Sequence, residues 1–109
     1  MKEIGKPKIS EYSSDKSEFT SVTFEPDLKK FHMKSFDSDI VSLFKKRVYD
    51  IAGCTPSSVN VYLNGKKIDK VKNFESYIDM YLTEDERKSK VFEKINERWE
   101  VCIIPSSFD

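Results

Sequence analysis

Residues 35–69 set a helix that must stop beside a hairpin that must turn, and this pair constrains the fold more than any other stretch. Asp37 is placed as a helix N-cap, because its carboxylate can accept from backbone N–H groups left unpaired in the first turn. Ile40, Leu43, Phe44, Val48 and Ile51 then recur at the spacing of one helical face, with Lys45, Lys46 and Arg47 mainly on the other side. Gly53 is expected to end the helix in a left-handed conformation. Past Thr55-Pro56, the residues Val59, Val61 and Leu63 alternate with Asn60 and Tyr62. Asn64-Gly65 is the two-residue loop whose mirror-image turn suits strand twist. It sets Leu63 opposite Lys66 and Val61 opposite Ile68, so the helix stripe and the strand face are two apolar surfaces able to cover each other.

Before this block, residues 1–6 carry no pattern. Pro7 to Tyr12 reads as a short strand with Ile9 inward, and residues 13–17 as a polar loop. Thr20, Val22 and Phe24 alternate with Phe19, Ser21 and Thr23 in a second strand that Pro26 closes, and the two are close enough to pair. Leu28, Phe31 and Met33 lie in a connector expected to fold down onto the domain. After the Asn-Gly hairpin, Asn73 caps a second helix, with Phe74, Tyr77, Ile78, Tyr81 and Leu82 on one stripe. Residues 83–90 are almost wholly polar and read as a mobile loop and the natural boundary. Residues 91–95 and 99–104 read as strands joined by Asn96-Glu97-Arg98. Trp99, Val101 and Ile103 share one face, with Cys102 and Ile104 on the other. Apolar residues on both faces point to a strand covered on each side.

Composition narrows the function classes. Eight Phe, five Tyr and one Trp argue against disorder, although charged residues reach 35% and hydrophobic ones only 38%. Nineteen basic and nineteen acidic residues cancel, which disfavours independent DNA binding, since phosphate readers carry a positive surplus. Lys45-Lys46-Arg47 is accordingly read as a solvated helix face, with nuclear import left open. Cys54 and Cys102 are read as reduced thiols of an intracellular protein. Nothing resembles a signal peptide, and no apolar run approaches a membrane span, so a membrane is not an expected partner.

Residue chemistry by itself points to a non-catalytic α+β module. The three glycines are scattered, so no phosphate-cradling loop exists, and no nucleophile is flanked by glycines. His32 is the only histidine and has no ligand-spaced companion, which disfavours a metal site and a small His32-based enzyme. Asp37 and Asp39 could in principle hold a cation, but first-turn acids suit the helix dipole, and capping is preferred.

Four segments then add a resemblance: Thr20–Leu28 with Phe31; Asp39-Ile40 with Arg47–Gly53; Val59–Lys66 with Phe74 and Tyr77; and Asn96–Cys102. In this order and spacing they resemble the ATPase region of eukaryotic-type type IIA DNA topoisomerases, from about Phe19 to Cys102. The implied fold is the C-terminal part of a GHKL-type ATPase α/β sandwich (residues 1–72) running into the start of the transducer domain (73–109). The implied activity, in the parent enzyme, is ATP-dependent DNA strand passage. The parent uses ATP and Mg²⁺, dimerises on nucleotide and traps DNA.

The same resemblance implies that the catalytic glutamate, the Mg²⁺-binding asparagine and the glycine-rich lid precede residue 1. The transducer lysine would follow residue 109. The chain is therefore expected to be a fragment, to bind ATP weakly or not at all, and to need the remainder of the topoisomerase chain as partner. Thr20 matches a threonine that helps bind the adenine edge, and Val22 an apolar lining position. The nucleus is the implied location, ahead of the cytoplasm. Pro105-Ser-Ser departs from the polar strand continuation expected there, and the chain ends near Phe108 where a further strand should begin. The competing reading is a stand-alone interaction module that pairs with such an ATPase domain. It requires sheet faces sealed by the chain itself.

Overall fold

A computed structural model describes residues 5–13, 15 and 17–105. Part of the polar loop at 13–17 and the end near Phe108 lie outside the described residues. The chain divides into two compact units, Met1–Met33 and Lys34–Asp109.

In the first unit the hairpin expected from residues 7–12 and 19–24 is not formed: no described residue there belongs to a strand. Phe19, Val22 and Phe24 stand 81%, 84% and 72% exposed. A lone pair of strands is marginal in water without a third partner or a covering helix, so alternation alone does not make the ladder. What does form is one helical turn closed by two backbone bonds. The His32 N–H donates to the Lys29 carbonyl (3.1 Å) and the Met33 N–H to the Leu28 carbonyl (2.9 Å). His32 takes φ 56° between them, the left-handed residue that this pair of bonds requires. Leu28 and Met33 are half-buried, while Phe31 points to solvent.

The second unit begins with α1, Ser38–Cys54, capped as expected: the Ile40 N–H donates to Asp37 Oδ1 at 2.9 Å. Gly53 does not end it. The helix runs through Cys54, and Thr55 closes it in an extended conformation, its N–H donating to the Ile51 carbonyl. Gly53 is glycine for a different reason. A Cβ there would lie 2.6 Å from Cγ of Tyr77, so the position is a close approach between elements.

The Asn-Gly hairpin holds the expected register. Strands β1 (Tyr62–Leu63) and β2 (Lys66–Lys67) pair antiparallel with Leu63 opposite Lys66. The Ile68 N–H donates to the Val61 carbonyl at 2.9 Å. Asn64 and Gly65 have φ 50° and 79°, as a mirror-image turn demands. Helix and hairpin meet along the C-terminal part of α1, where Ala52 lines a cavity of about 250 Å³ with Val59, Val61, Ile68 and Val71.

Helix α2 is short, Phe74–Asp79, with a reciprocal cap between Asn73 and Ser76. The expected polar loop after it is instead a helix, α3, Glu84–Ser89. Thr83 caps it, and Glu86 reaches back to the Thr83 N–H at 2.8 Å. The Thr-x-x-Glu spacing is a helix start, and it outweighs the polarity of the segment. Lys90 then ties the next strand to α2 through Asp79 (2.6 Å) and Glu75 (3.0 Å).

Strands β3 (Val91–Asn96) and β4 (Trp99–Ile103) form the expected antiparallel hairpin, bulged near Ile95. Asn96 Oδ1 accepts from the Arg98 and Trp99 N–H groups across the turn. One face meets α2, where the Phe92 and Phe74 rings are 6.3 Å apart. The other is uncovered: Val91, Trp99 and Ile103 are each 64% exposed. The expectation of an inner strand is not met: among the described residues this sheet has two strands and no third neighbour.

Among the described residues only Ala52, Val71 and Leu82 are buried apolar side chains. The stripe of α1 is part of the reason. Leu43, Phe44 and Ile51 are exposed, and the helix packs against α2 through Asp50 and Gly53 rather than through these residues. The self-sealed body needed by the stand-alone module is therefore absent from residues 34–105.

Candidate functional site

The proposed adenine-edge residues Thr20 and Val22 lie on the irregular stretch of the first unit, both exposed. A hydroxyl and a valine can meet one edge of a base. A triphosphate needs converging N–H groups or cations, and a magnesium ion needs several oxygen ligands. No group of three or more His, Cys, Asp or Glu able to hold a metal exists among the described residues. A single hydroxyl and a valine supply neither the converging donors of a phosphate site nor the oxygen ligands of a metal.

The densest polar constellation joins α1 to α2 instead. The Tyr77 hydroxyl donates to Asp50 Oδ1 at 2.5 Å, and Lys46 Nζ donates to both Asp50 oxygens at 2.9 and 3.0 Å. Arg47 stands 3.6 Å from the same carboxylate, and the Tyr77 and Tyr81 hydroxyls are 3.0 Å apart. The (i, i+4) Lys46–Asp50 pair follows from helix spacing. Tyr77 arrives from another element, because its ring lies flush on Gly53 with the hydroxyl one turn back along α1.

The electrostatics of this cluster argue against proton transfer. The hydrogen bond from Tyr77, then that from Lys46, holds the Asp50 carboxyl below its ordinary range. The hydrogen bond to Asp50, then the contact with Tyr81, pushes the Tyr77 phenol well above its usual value. Lys46 is raised, chiefly by its hydrogen bond to Asp50. Each group is held further from neutral titration, whereas a general acid or base needs a pKa close to working pH. The cluster is a clasp.

Sequence reasoning placed Tyr77 on a core stripe and did not find its hydroxyl's partner. Asp50, one helical turn before Gly53, was the available signal. His32 is exposed, and its distinctive feature is its backbone. Cys54 is exposed and Cys102 half-buried, and both are free thiols. No helix among the described residues is long and apolar enough to cross a membrane.

No family model matches the sequence. The chain is 53% identical over 97 residues to DNA topoisomerase 2 of Arabidopsis thaliana, a match covering 82% of this chain and 6% of that protein. It is 50% identical over 94 residues to human DNA topoisomerase 2-alpha, again covering 82% of this chain and 6% of the relative. The chain thus spans less than a tenth of the length of these relatives. In three dimensions it is similar to the crystal structure of the ATPase region of Saccharomyces cerevisiae topoisomerase II. That superposition has a TM-score of 0.63 and 45% identity, over 71% of this chain and 20% of the other. The same region bound to ICRF-187 (dexrazoxane) gives a TM-score of 0.62 at 44% identity. An α+β chain that matches in sequence and in fold over most of its length is no chance likeness: it belongs to the DNA topoisomerase 2 family, as the counterpart of one segment of the ATPase region.

Proposed function

We propose that this chain supplies one wall of the nucleotide chamber, and the joint that follows it, in an ATP-driven enzyme that passes one DNA duplex through another. Residues 1–72 end the GHKL-type ATPase domain and 73–109 begin the transducer. Thr20 faces the adenine edge and Val22 lines the base. The rest of the enzyme's chain contributes the phosphate-binding groups and the Mg²⁺ site. The working form is a nucleotide-gated homodimer acting on DNA in the nucleus.

The observation that carries this reading is the 45% identity that accompanies superposition on the yeast ATPase region. The uncovered stripe of α1 supports it too, because a helix that shows Leu43, Phe44 and Ile51 to solvent has a side made for neighbours.

The test is a chimera: the ATPase region of Saccharomyces cerevisiae topoisomerase II with its matching segment replaced by this chain. ATP hydrolysis stimulated by DNA is expected. Thr20→Ala in the chimera should raise KM for ATP by about tenfold with little change in kcat, as loss of uniform binding does. A chimera that folds but neither binds nor hydrolyses ATP would overturn the assignment.

A further inference from the structure

Two grooves meet at Tyr49. One, of about 370 Å³, runs along the α1 face made by Ser42, Lys45, Lys46 and Tyr49, and is closed by Met80 and Tyr81. The other, of about 330 Å³, continues from Tyr49 to Leu63 and Ile68, and is edged by Lys66, Lys67 and Lys70. The side chains at 42, 45, 46 and 49 share a face because they are three and four residues apart.

Charge is unevenly distributed here, although the whole chain is neutral. Lys45, Lys66 and Lys70 pair with no carboxylate among the described residues. Lys46 is committed to Asp50, and Lys67 stands 4.0 Å from Asp69. Between these ammonium groups the floor is apolar: Leu63 and Ile68 are half-buried, and Met80 and Tyr81 are 49% and 57% exposed.

We propose that this trough binds an acidic peptide carrying an aromatic or aliphatic anchor: the anchor beside Tyr49 on the Met80–Tyr81 floor, the carboxylates on Lys45, Lys66 and Lys70. Complementary charge selects an acidic partner and speeds its arrival. The apolar floor selects protein over nucleic acid. Phosphate binding draws on counterion release and gains nothing from Leu63, Ile68 and Met80, so only Tyr49 and Tyr81 could serve a base by stacking. A strand charged at every nucleotide must also pass the Asp69 carboxylate in the wall of the second groove, which a peptide with spaced charges avoids. The inference does not depend on the nucleotide-chamber reading.

The test uses the full 109-residue chain and a fluorescein-labelled peptide of about twelve residues, Asp-Glu pairs alternating with Phe, read by anisotropy. Binding in the micromolar range is expected. Lys45→Glu combined with Lys66→Glu should weaken it by about tenfold, and so should replacing the peptide's Phe residues by Ala. Both lysines are exposed, so the variant's circular dichroism should match the parent's. Met80→Ser gives a second variant that leaves every lysine in place. No binding at millimolar peptide, binding indifferent to both the lysine and Met80 changes, or tighter binding of single-stranded oligothymidylate would each overturn the proposal.

Discussion

Gly53 shows how one residue can be correctly singled out for the wrong reason. Sequence reasoning gave it a left-handed φ, whereas its hydrogen atom makes room for the Tyr77 ring. Gly53→Ala has two opposed effects. Alanine favours the helix by about 1 kcal/mol, while overpacking costs about 3 kcal/mol where a rigid neighbour must move. The atoms met are Tyr77 Cγ and Cβ, at 2.6 and 2.7 Å, the stiff root of the side chain. The clash should win, and the denaturation midpoint should fall by the equivalent of about 2 kcal/mol. Combining it with Tyr77→Ala should cost less than the sum of the single changes, because the ring carbons are gone and the one remaining close atom, Cβ, belongs to a side chain with nothing beyond it to displace. The same clasp sets a pH dependence. Asp50 is lowered from 3.8, so its contribution is present above pH 3.8 and lost as pH falls below that value. Tyr77 is raised from 10.0, so its contribution is present below pH 10 and lost as pH rises past it. Tyr77→Phe should flatten both limbs of a stability-against-pH curve measured by denaturant melts. An unchanged acid limb would remove the hydrogen bond from the account.

At the scale of elements, what the sequence made legible was whatever is decided locally. Asp37, Asn73 and Asn64-Gly65 act within four residues of themselves, and all three appear where chain chemistry puts them. Strand 99–103 and its turn were legible for the same reason. The expected strands at 7–12 and 19–24 depend on partners far away, and alternation cannot say whether those are supplied. Helix α3 was a different failure: its capping box was present, and the polarity of residues 83–90 was given more weight. Thr83→Ala should therefore speed amide exchange at Glu86 and Arg87 by about fivefold, as loss of a threonine cap does. Glu86 is held below 4.5, mainly by the Thr83 N–H and then its hydroxyl. This cap is accordingly present above pH 4.5 and weakens as pH falls below it. Exchange indifferent to the substitution would mean that packing holds α3. Of the candidate site, Thr20 and Val22 rest on resemblance alone, while the Tyr77–Asp50 contact was invisible because 27 residues separate the pair.

For the whole molecule, the decisive fact is how much apolar surface faces outward. Trp99, Ile103, Val91 and Ile95 are all more than 60% exposed, and Leu43, Phe44 and Ile51 lie open on the best-formed helix. Patches of this kind mark surfaces awaiting a partner or prone to association. The 109-residue chain should therefore bind a hydrophobic dye strongly in the absence of denaturant, and the signal should fall in the yeast chimera. Equal dye binding in both settings would show that these surfaces are not what the larger enzyme covers. One consequence reaches past folding. Because α1 grips α2 with one side while its oily side meets little besides Phe36, residues 34–105 make a cartridge that carries its own joint and leaves most of its outer surface to be matched from outside. Such a block should transplant between distant members of the lineage without repair inside it, so any adaptation would be written into the sockets that receive it.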